Sequence, residues 1–233
     1  MIRNPIPWPN GAKCAVAITF DMDADSLIHI AKPADSHTRL YPISMGRYGP
    51  KVALPRILDT YRRFGLKQSF FIPGWCLETY PDTVEAILKD GHEIGHHGYL
   101  HEDPIKTAGH QREWFERTLD AHQKICGVLP RGYRAPVYNI TGEVIDLMIE
   151  HGLRYDSSMM ADDIPYALKT EAGRLYEMPV HWGTDDWPPF AHYDEIGYMM
   201  PVRSPSQGLA GFWEEFEAQY QAGGFFMLII HPF

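Results

Sequence analysis

Carboxylates and imidazoles recur along this chain just past the ends of apolar runs. Asp21 and Asp23 follow the first such run, His97 and His101 a later one, and Arg134 another; Asp185 and Asp186 follow the next, and His231 closes the last. Two imidazoles spaced four residues apart fall on one face of a helical turn, within reach of a single cation. A carboxylate from elsewhere completes a facial His-His-Asp set, which leaves coordination positions open as catalytic sites do. In Phe20-Asp21-Met22-Asp23 two carboxylates can divide roles, one on the metal and one free as a base. A lone His-x-x-x-His is a weak signal, and His92 with His96 forms a competing pair at the same spacing. Asp25 extends the acidic pattern and blurs which pair matters, since loop capping is a common use of aspartate.

These side chains need a frame. Residues 14–20, 68–72, 93–95, 132–134, 153–155, 174–180 and 225–230 read as strands, and the last is continuously apolar, as a strand buried on both faces should be. Helical spacing covers residues 54–64, stopped by Gly65, and 81–90, ended by Gly91. Three further helices are expected: 107–126 capped by Thr107, 141–151 capped by Thr141, and 206–222 capped by Ser206. Residues 21–50 and 181–205, rich in proline, read as long functional loops. Strands alternating with helices mean βα units and a parallel sheet. Seven such strands predict a closed or nearly closed barrel, whose strand C-terminal ends share one face, and that face carries the chemistry.

Composition narrows the function classes. The chain has 233 residues, 45% of them hydrophobic and 22% charged, which suits one sizeable core. Its net charge of -9 argues against a nucleic-acid partner, because phosphate binding needs a basic face. No apolar run approaches membrane-spanning length, and residues 1–11 read as neither signal peptide nor anchor. A cytoplasmic location is therefore expected. Cys14, Cys76 and Cys126 form no paired framework or zinc-finger spacing and read as buried thiols in a reducing compartment. No glycine-rich phosphate loop appears, which removes the usual nucleotide reading.

Four motifs, in order along nearly the whole chain, carry a specific resemblance. Thr19-Phe20-Asp21-Met22-Asp23 resembles the first motif of the polysaccharide deacetylase (NodB-homology, carbohydrate esterase type) family. The run from Gly91 through His97-Gly98-Tyr99-Leu100-His101-Glu102 resembles its metal-histidine motif, and Arg131-Gly132-Tyr133-Arg134-Ala135-Pro136 its arginine motif. Leu228-Ile229-Ile230-His231-Pro232 resembles the motif with the catalytic-acid histidine. The form of the histidine motif and the Trp182–Pro189 loop are closer to the intracellular branch. That branch includes a Helicobacter peptidoglycan-deacetylase-like protein, metal-independent allantoinases and cyclic imide hydrolases.

The resemblance implies a distorted (β/α)7 barrel, TIM-like, with residues 1–233 as one domain. It implies Asp23, His97 and His101 as metal ligands, Asp21 as general base positioned by Arg134, and His231 as general acid. A divalent metal is implied, zinc first, with cobalt, nickel, iron or manganese as alternatives that fit the same donors. Tyr138, Trp182, Asp185, Asp186 and Trp187 are candidate substrate-binding residues, with Trp75 a further aromatic near the rim; packing and loop anchoring are the competing uses. The backbone N–H of Gly98 or Tyr99 is a candidate oxyanion donor. Relatives commonly continue past the final histidine and form homo-oligomers, so the stop at Phe233 reads as a shortened chain or a barrel completed by a partner in a dimer or tetramer. The expected activity is N-deacetylation of an amino sugar or small glycan. Ring opening of a small cyclic imide or ureide is the alternative, and a non-catalytic metal- or ligand-binding barrel is the third.

Overall fold

The computed structural model describes residue 2 and residues 4–233; Met1 and Arg3, within the segment read as neither leader nor anchor, lie outside the described residues. Strand β1 (Ala15–Asp21) delivers Asp21, and two residues later Asp23, to its C-terminal rim. Helices α1 (Ser26–Ala31) and α2 (Leu40–Tyr48) follow, so the segment read as a long loop is half helical. Leu27, Ile28 and Ile43 bury themselves there against Tyr193, which gives the two short helices their stability. A π-turn at Gly49–Ala53 leads into α3 (Leu54–Phe64), which buries Leu54, Leu58 and Tyr61 at helical spacing and stops at Gly65, φ +64°.

Next come β2 (Ser69–Ile72), α4 (Gly74–Thr79), α5 (Pro81–Lys89) and β3 (Glu93–His96). Helix α4 is not expected from the sequence; Pro73 punctuates the chain as a loop would, yet buried Cys76 and Leu77 fix a short helix there. Helix α6 (Gln111–Cys126) starts later than the Thr107 cap predicts. His110 occupies the cap position, while the Thr107 hydroxyl donates to the Asp103 carbonyl in a preceding turn. Strand β4 (Gly132–Tyr133) precedes α7 (Gly142–Glu150), where Thr141 accepts from Val144 N–H as a cap should.

Three short strands follow: β5 (Tyr155–Asp156), β6 (Tyr166–Thr170) and β7 (Gly173–Glu177). The 181–205 stretch holds α8 (Trp187–Phe190) and short 3-10 turns. Helix α9 (Pro205–Ala222) is capped by Ser204 rather than Ser206, with Gln207 completing a capping box, and β8 (Phe225–Ile230) ends the sheet.

Among the described residues eight strands form one sheet, in the order β6-β7-β5-β4-β3-β2-β1-β8. Seven are mutually parallel; β6, unpredicted, pairs antiparallel with β7 as an outer hairpin. The sheet curls into a half-barrel of the expected α/β class. β7 and β8 do not pair directly. Irregular segments cross the gap instead: Asp185 bridges to Ile229, and Phe225 N–H donates to the Asp163 carbonyl. One core lies between β1–β3 and helices α3–α6, a second between α6, α7 and strands β4 and β7. All three cysteines are free, but only Cys76 is fully buried; Cys14 and Cys126 are partly exposed, against the expectation of buried thiols.

Candidate active site

The rim begins at the end of β1, where Asp21 and Asp23 are both buried. The backbone turns sharply at Ala24, φ +49°, and a Cβ at Gly46 would lie 2.7 Å from the Ala24 backbone, so α2 packs directly on this turn. Asp25 accepts from Arg47 Nε at 2.9 Å and from the Tyr80 hydroxyl. That assignment removes the ambiguity in the acidic run. Asp25 ties the loop to α2 and the α4–α5 junction, and Asp21 with Asp23 form the pair that faces the cleft.

Past β3 the two histidines do converge, though not on a helical turn. Gly98 (φ +68°) and His101 (φ +58°) sit in the left-handed region, and for histidine that geometry carries strain. The buried Glu102 carboxylate holds the turn by accepting from Tyr99 N–H at 2.9 Å and from Leu100 N–H at 2.8 Å. Gly98 N–H donates to His96 Nδ1 at 3.1 Å. Both backbone donors considered for an oxyanion are therefore already engaged, and neither serves that role here. His96 also bonds the Phe115 carbonyl and His92 accepts from Gln68 N–H, so the competing histidine pair is structural. Replacing Glu102 by Ala frees the strained turn. The expected outcome is a divalent-cation affinity about 10–100-fold weaker by calorimetric titration, as when outer-shell partners are lost elsewhere.

Asp23, His97 and His101 are the first of three groups, among the described residues, whose donor atoms cluster within 4.8 Å. His97 Nε2 stands 3.2 Å from Asp23 Oδ1, and His101 Nε2 3.5 Å from Asp23 Oδ2. His97 Nδ1–H donates to the Arg134 carbonyl at 2.8 Å, which orients the ring with Nε2 facing Asp23. Burial disfavours the charged Asp23, yet His101, His97 and His231 outweigh it and hold the carboxyl well below the usual range. Burial lowers His101 to about 4, so its imidazole is neutral and available as a ligand at neutral pH. In the other two clusters the carboxylates already have partners. Arg112 lies between Glu116 and Glu150 beside His151, and Asp185 and Asp186 are bonded as described below.

Arg134, at the end of β4, is fully buried. Its Nη1 donates to Asp21 Oδ1 at 2.6 Å and to Thr19 Oγ1 at 2.8 Å. Nε and Nη2 donate to the carbonyl and hydroxyl of Ser157 at 3.0 and 2.8 Å, and the guanidinium lies 4.2 Å over the Phe71 ring. Asp21 is thereby held with Oδ1 in use and Oδ2 turned toward His97 Nε2, 3.9 Å away.

His231 closes the opposite wall. Its Nδ1–H donates to Asp186 Oδ1 at 2.7 Å, leaving Nε2 toward Asp23 Oδ2 at 4.0 Å. Burial opposes the imidazolium, but Asp186, then Asp185 and Asp23, raise its pKa to about 10. Asp186 is engaged behind His231 and its own N–H bonds the Ile229 carbonyl, so it orients the imidazole rather than lining the cleft. Asp185 accepts from the Tyr138 hydroxyl and from Trp187 N–H. Tyr138, Trp182, Asp185 and Trp187 line, with Ala135 and Val137, a cavity of about 70 Å³ over Asp21, Asp23, His97, His101 and His231. Trp75 lies off this cleft, its ring packed against His29. Sequence reading misses Glu102, Thr19 and Ser157 as supports; Glu102 closes the histidine motif and is the one with a local signal.

The polysaccharide deacetylase family model matches residues 47–155. The chain is 28% identical over 220 residues to the peptidoglycan deacetylase of Helicobacter pylori, covering 82% of this chain and 74% of that one. A Mycobacterium smegmatis crystal structure, provisionally assigned to the polysaccharide deacetylases, superposes with a TM-score of 0.94 at 35% identity, over 100% of this chain and 81% of the other. An allantoinase structure shares the fold, with a TM-score of 0.81 at 19% identity over 99% of this chain and 82% of its own. The chain belongs to the polysaccharide deacetylase family, a family of hydrolases acting on carbon–nitrogen bonds other than peptide bonds.

Proposed function

We propose that this chain is a divalent-metal-dependent deacetylase that removes the N-acetyl group of an amino sugar or short glycan. One observation carries the metal: Asp23 Oδ1 and His97 Nε2 are buried, adjacent and without a hydrogen-bond partner among the described residues. A cation held by Asp23, His97 and His101 satisfies both atoms at once, and buried polar atoms left unsatisfied are costly. Zinc suits two imidazoles and a carboxylate, and cobalt, nickel, iron or manganese fit the same donors. When bound, it supplies Lewis acidity, polarising an amide carbonyl and lowering the pKa of water.

The chain's own residues supply the proton transfers. Asp21 Oδ2 takes the proton of the attacking water, while Arg134 holds Oδ1 by a hydrogen bond. His231 gives its Nε2 proton to the leaving nitrogen, and Asp186 holds the ring in that orientation. Tyr138, Trp182 and Trp187 offer aromatic faces to a sugar ring, and Asp185 a carboxylate to its hydroxyls or amide. The single domain, the cytoplasmic location and a homo-oligomer belong to the same proposal. The exposed Trp213, Leu209 and Met199 support the oligomer, which light scattering tests. Among the described residues no helix is long and apolar enough to cross a membrane.

The cavity favours a second reading. At about 70 Å³ and walled by Val137, Tyr138, Trp182 and Trp187, it suits a compact planar cyclic imide or ureide. The test is hydrolysis of two substrate sets by purified protein, with and without chelator. Acetate release from N-acetylated sugars and chito-oligomers, abolished by chelator and restored by zinc, is the expected result. Ring opening of imides, hydantoins or allantoin in its place transfers the chain to the second reading, and hydrolysis of neither set sinks both.

Asp186→Asn gives a pH test. His231 is raised by its carboxylates and must be protonated to act, so activity falls as pH rises through its pKa. Removing the Asp186 charge lowers that pKa, and the alkaline limb of kcat/KM should move down by about one unit or more. An unmoved limb would remove His231 from the acid role.

A further inference from the structure

Behind Arg134, away from the cleft, lie two carboxyls that the reaction does not touch. Asp156 and Glu177 are register partners on neighbouring parallel strands β5 and β7, and both are fully buried. Each is bonded on one side only. Asp156 Oδ1 accepts from the Ser158 hydroxyl at 2.7 Å, and Glu177 Oε1 accepts from the Ser158 and Met159 N–H groups at 2.9 Å. The remaining oxygens, Asp156 Oδ2 and Glu177 Oε2, are buried with no donor among the described residues. Neither residue has a salt-bridge partner among the described residues; Arg134, whose charge also acts on Asp156, is bonded to Asp21. Two like charges side by side in a buried site resist ionising together, and a proton between the two orphaned oxygens gives each of them a partner.

We propose that Asp156 and Glu177 share a single proton between Asp156 Oδ2 and Glu177 Oε2, and that this pair positions Arg134 through the Ser157-Ser158 segment. The pair carries one negative charge, and its proton stays in place throughout turnover. Burial, then the neighbouring Asp156, pushes Glu177 up to about 10, which places the proton on Glu177 at neutral pH. The chain of contacts is continuous. The pair bonds the Ser158 hydroxyl and N–H, and the Ser158 hydroxyl in turn accepts from Ala135 N–H at 2.8 Å. Ser157 bonds Arg134 through both its carbonyl and its hydroxyl. Arg134 then sets Asp21. The positioning half of the proposal rests on the deacetylase reading; the shared proton does not.

The test uses Glu177→Gln, Asp156→Asn, their double variant and Glu177→Leu, read by thermal melting, infrared spectroscopy and kinetics. In Glu177→Gln the amide oxygen would stay on the two N–H groups and the amide nitrogen would donate to Asp156 Oδ2. Its melting temperature should stay near wild type and its kcat within about twofold. Asp156→Asn should behave alike. The double variant sets two amide NH2 groups against each other and should melt well below the sum of the single effects. Glu177→Leu should lower kcat about tenfold or more with KM little changed, and Gln at the same position should rescue it. Wild type should show a protonated-carboxyl band at pH 8 that Glu177→Gln removes. Stability that rises in both single variants and further in the double would mean two ionised carboxyls and would overturn the shared proton, as would absence of the band. A normal kcat in Glu177→Leu would overturn the positioning role. If the protein hydrolysed none of the substrates, melting and infrared data would still decide the proton.

Discussion

An Asp21→Asn protein is expected to lose about 10²–10⁴ of kcat/KM while keeping its fold and its metal content. The amide oxygen still accepts from Arg134 Nη1, so the local geometry persists. What disappears is the basic oxygen, Oδ2, on the side facing His97. Asp21 lies outside the Asp23, His97 and His101 cluster, so cation content after dialysis should match wild type. The loss should appear in kcat with little change in KM, because the base acts in the transition state. Full activity in this variant would favour a non-catalytic barrel or a different base, and loss of metal together with activity would make Asp21 a ligand.

Arg134→Met is expected to cost about 3–5 kcal/mol of stability, because it leaves the Asp21 carboxylate buried and unpaired. In a chain of this size each kcal/mol lowers Tm by about 2–4 °C, which makes the effect plain in a thermal melt. The methionine also abandons Thr19 and both Ser157 contacts, so the loss belongs to a network rather than to one pair. Combining it with Asp21→Asn removes the orphaned charge and should recover much of the stability with none of the activity. A double variant as unstable as Arg134→Met alone would mean that Arg134 serves the packing of β4 and β5 rather than the charge of Asp21.

The parts legible in sequence are those encoded locally. Helix α3 is read to the residue, because Leu54, Leu58 and Tyr61 repeat at helical spacing and Gly65 stops it. The strands are read within a residue or two where they are apolar. Hairpin strand β6 is not, since Tyr166–Thr170 alternates only between exposed and partly buried positions and carries little hydrophobic signal. The rim residues are legible by type and order, but not the backbone that aims them. His101 reaches Asp23 from a left-handed turn that the buried Glu102 braces, and four-residue spacing cannot distinguish that turn from a helix. The supports of Arg134 are invisible for a related reason. Ser157, Thr19 and the Asp156–Glu177 pair meet across strands whose register no local pattern records.

The pairing of β1 with β8, running from Ala15 against Phe225 to Phe20 against Ile230, has a temporal consequence. It joins stretches far apart along the polypeptide, the kind of nonlocal contact that slows folding through the entropy of closing a long chain segment. During synthesis β1 must wait, its partner edge open, until all the intervening strands have emerged. Asp21 and Asp23 emerge with the end of β1, and His231 only after β8. Until β8 arrives, the unpaired edge of β1 is a template for unwanted strand pairing.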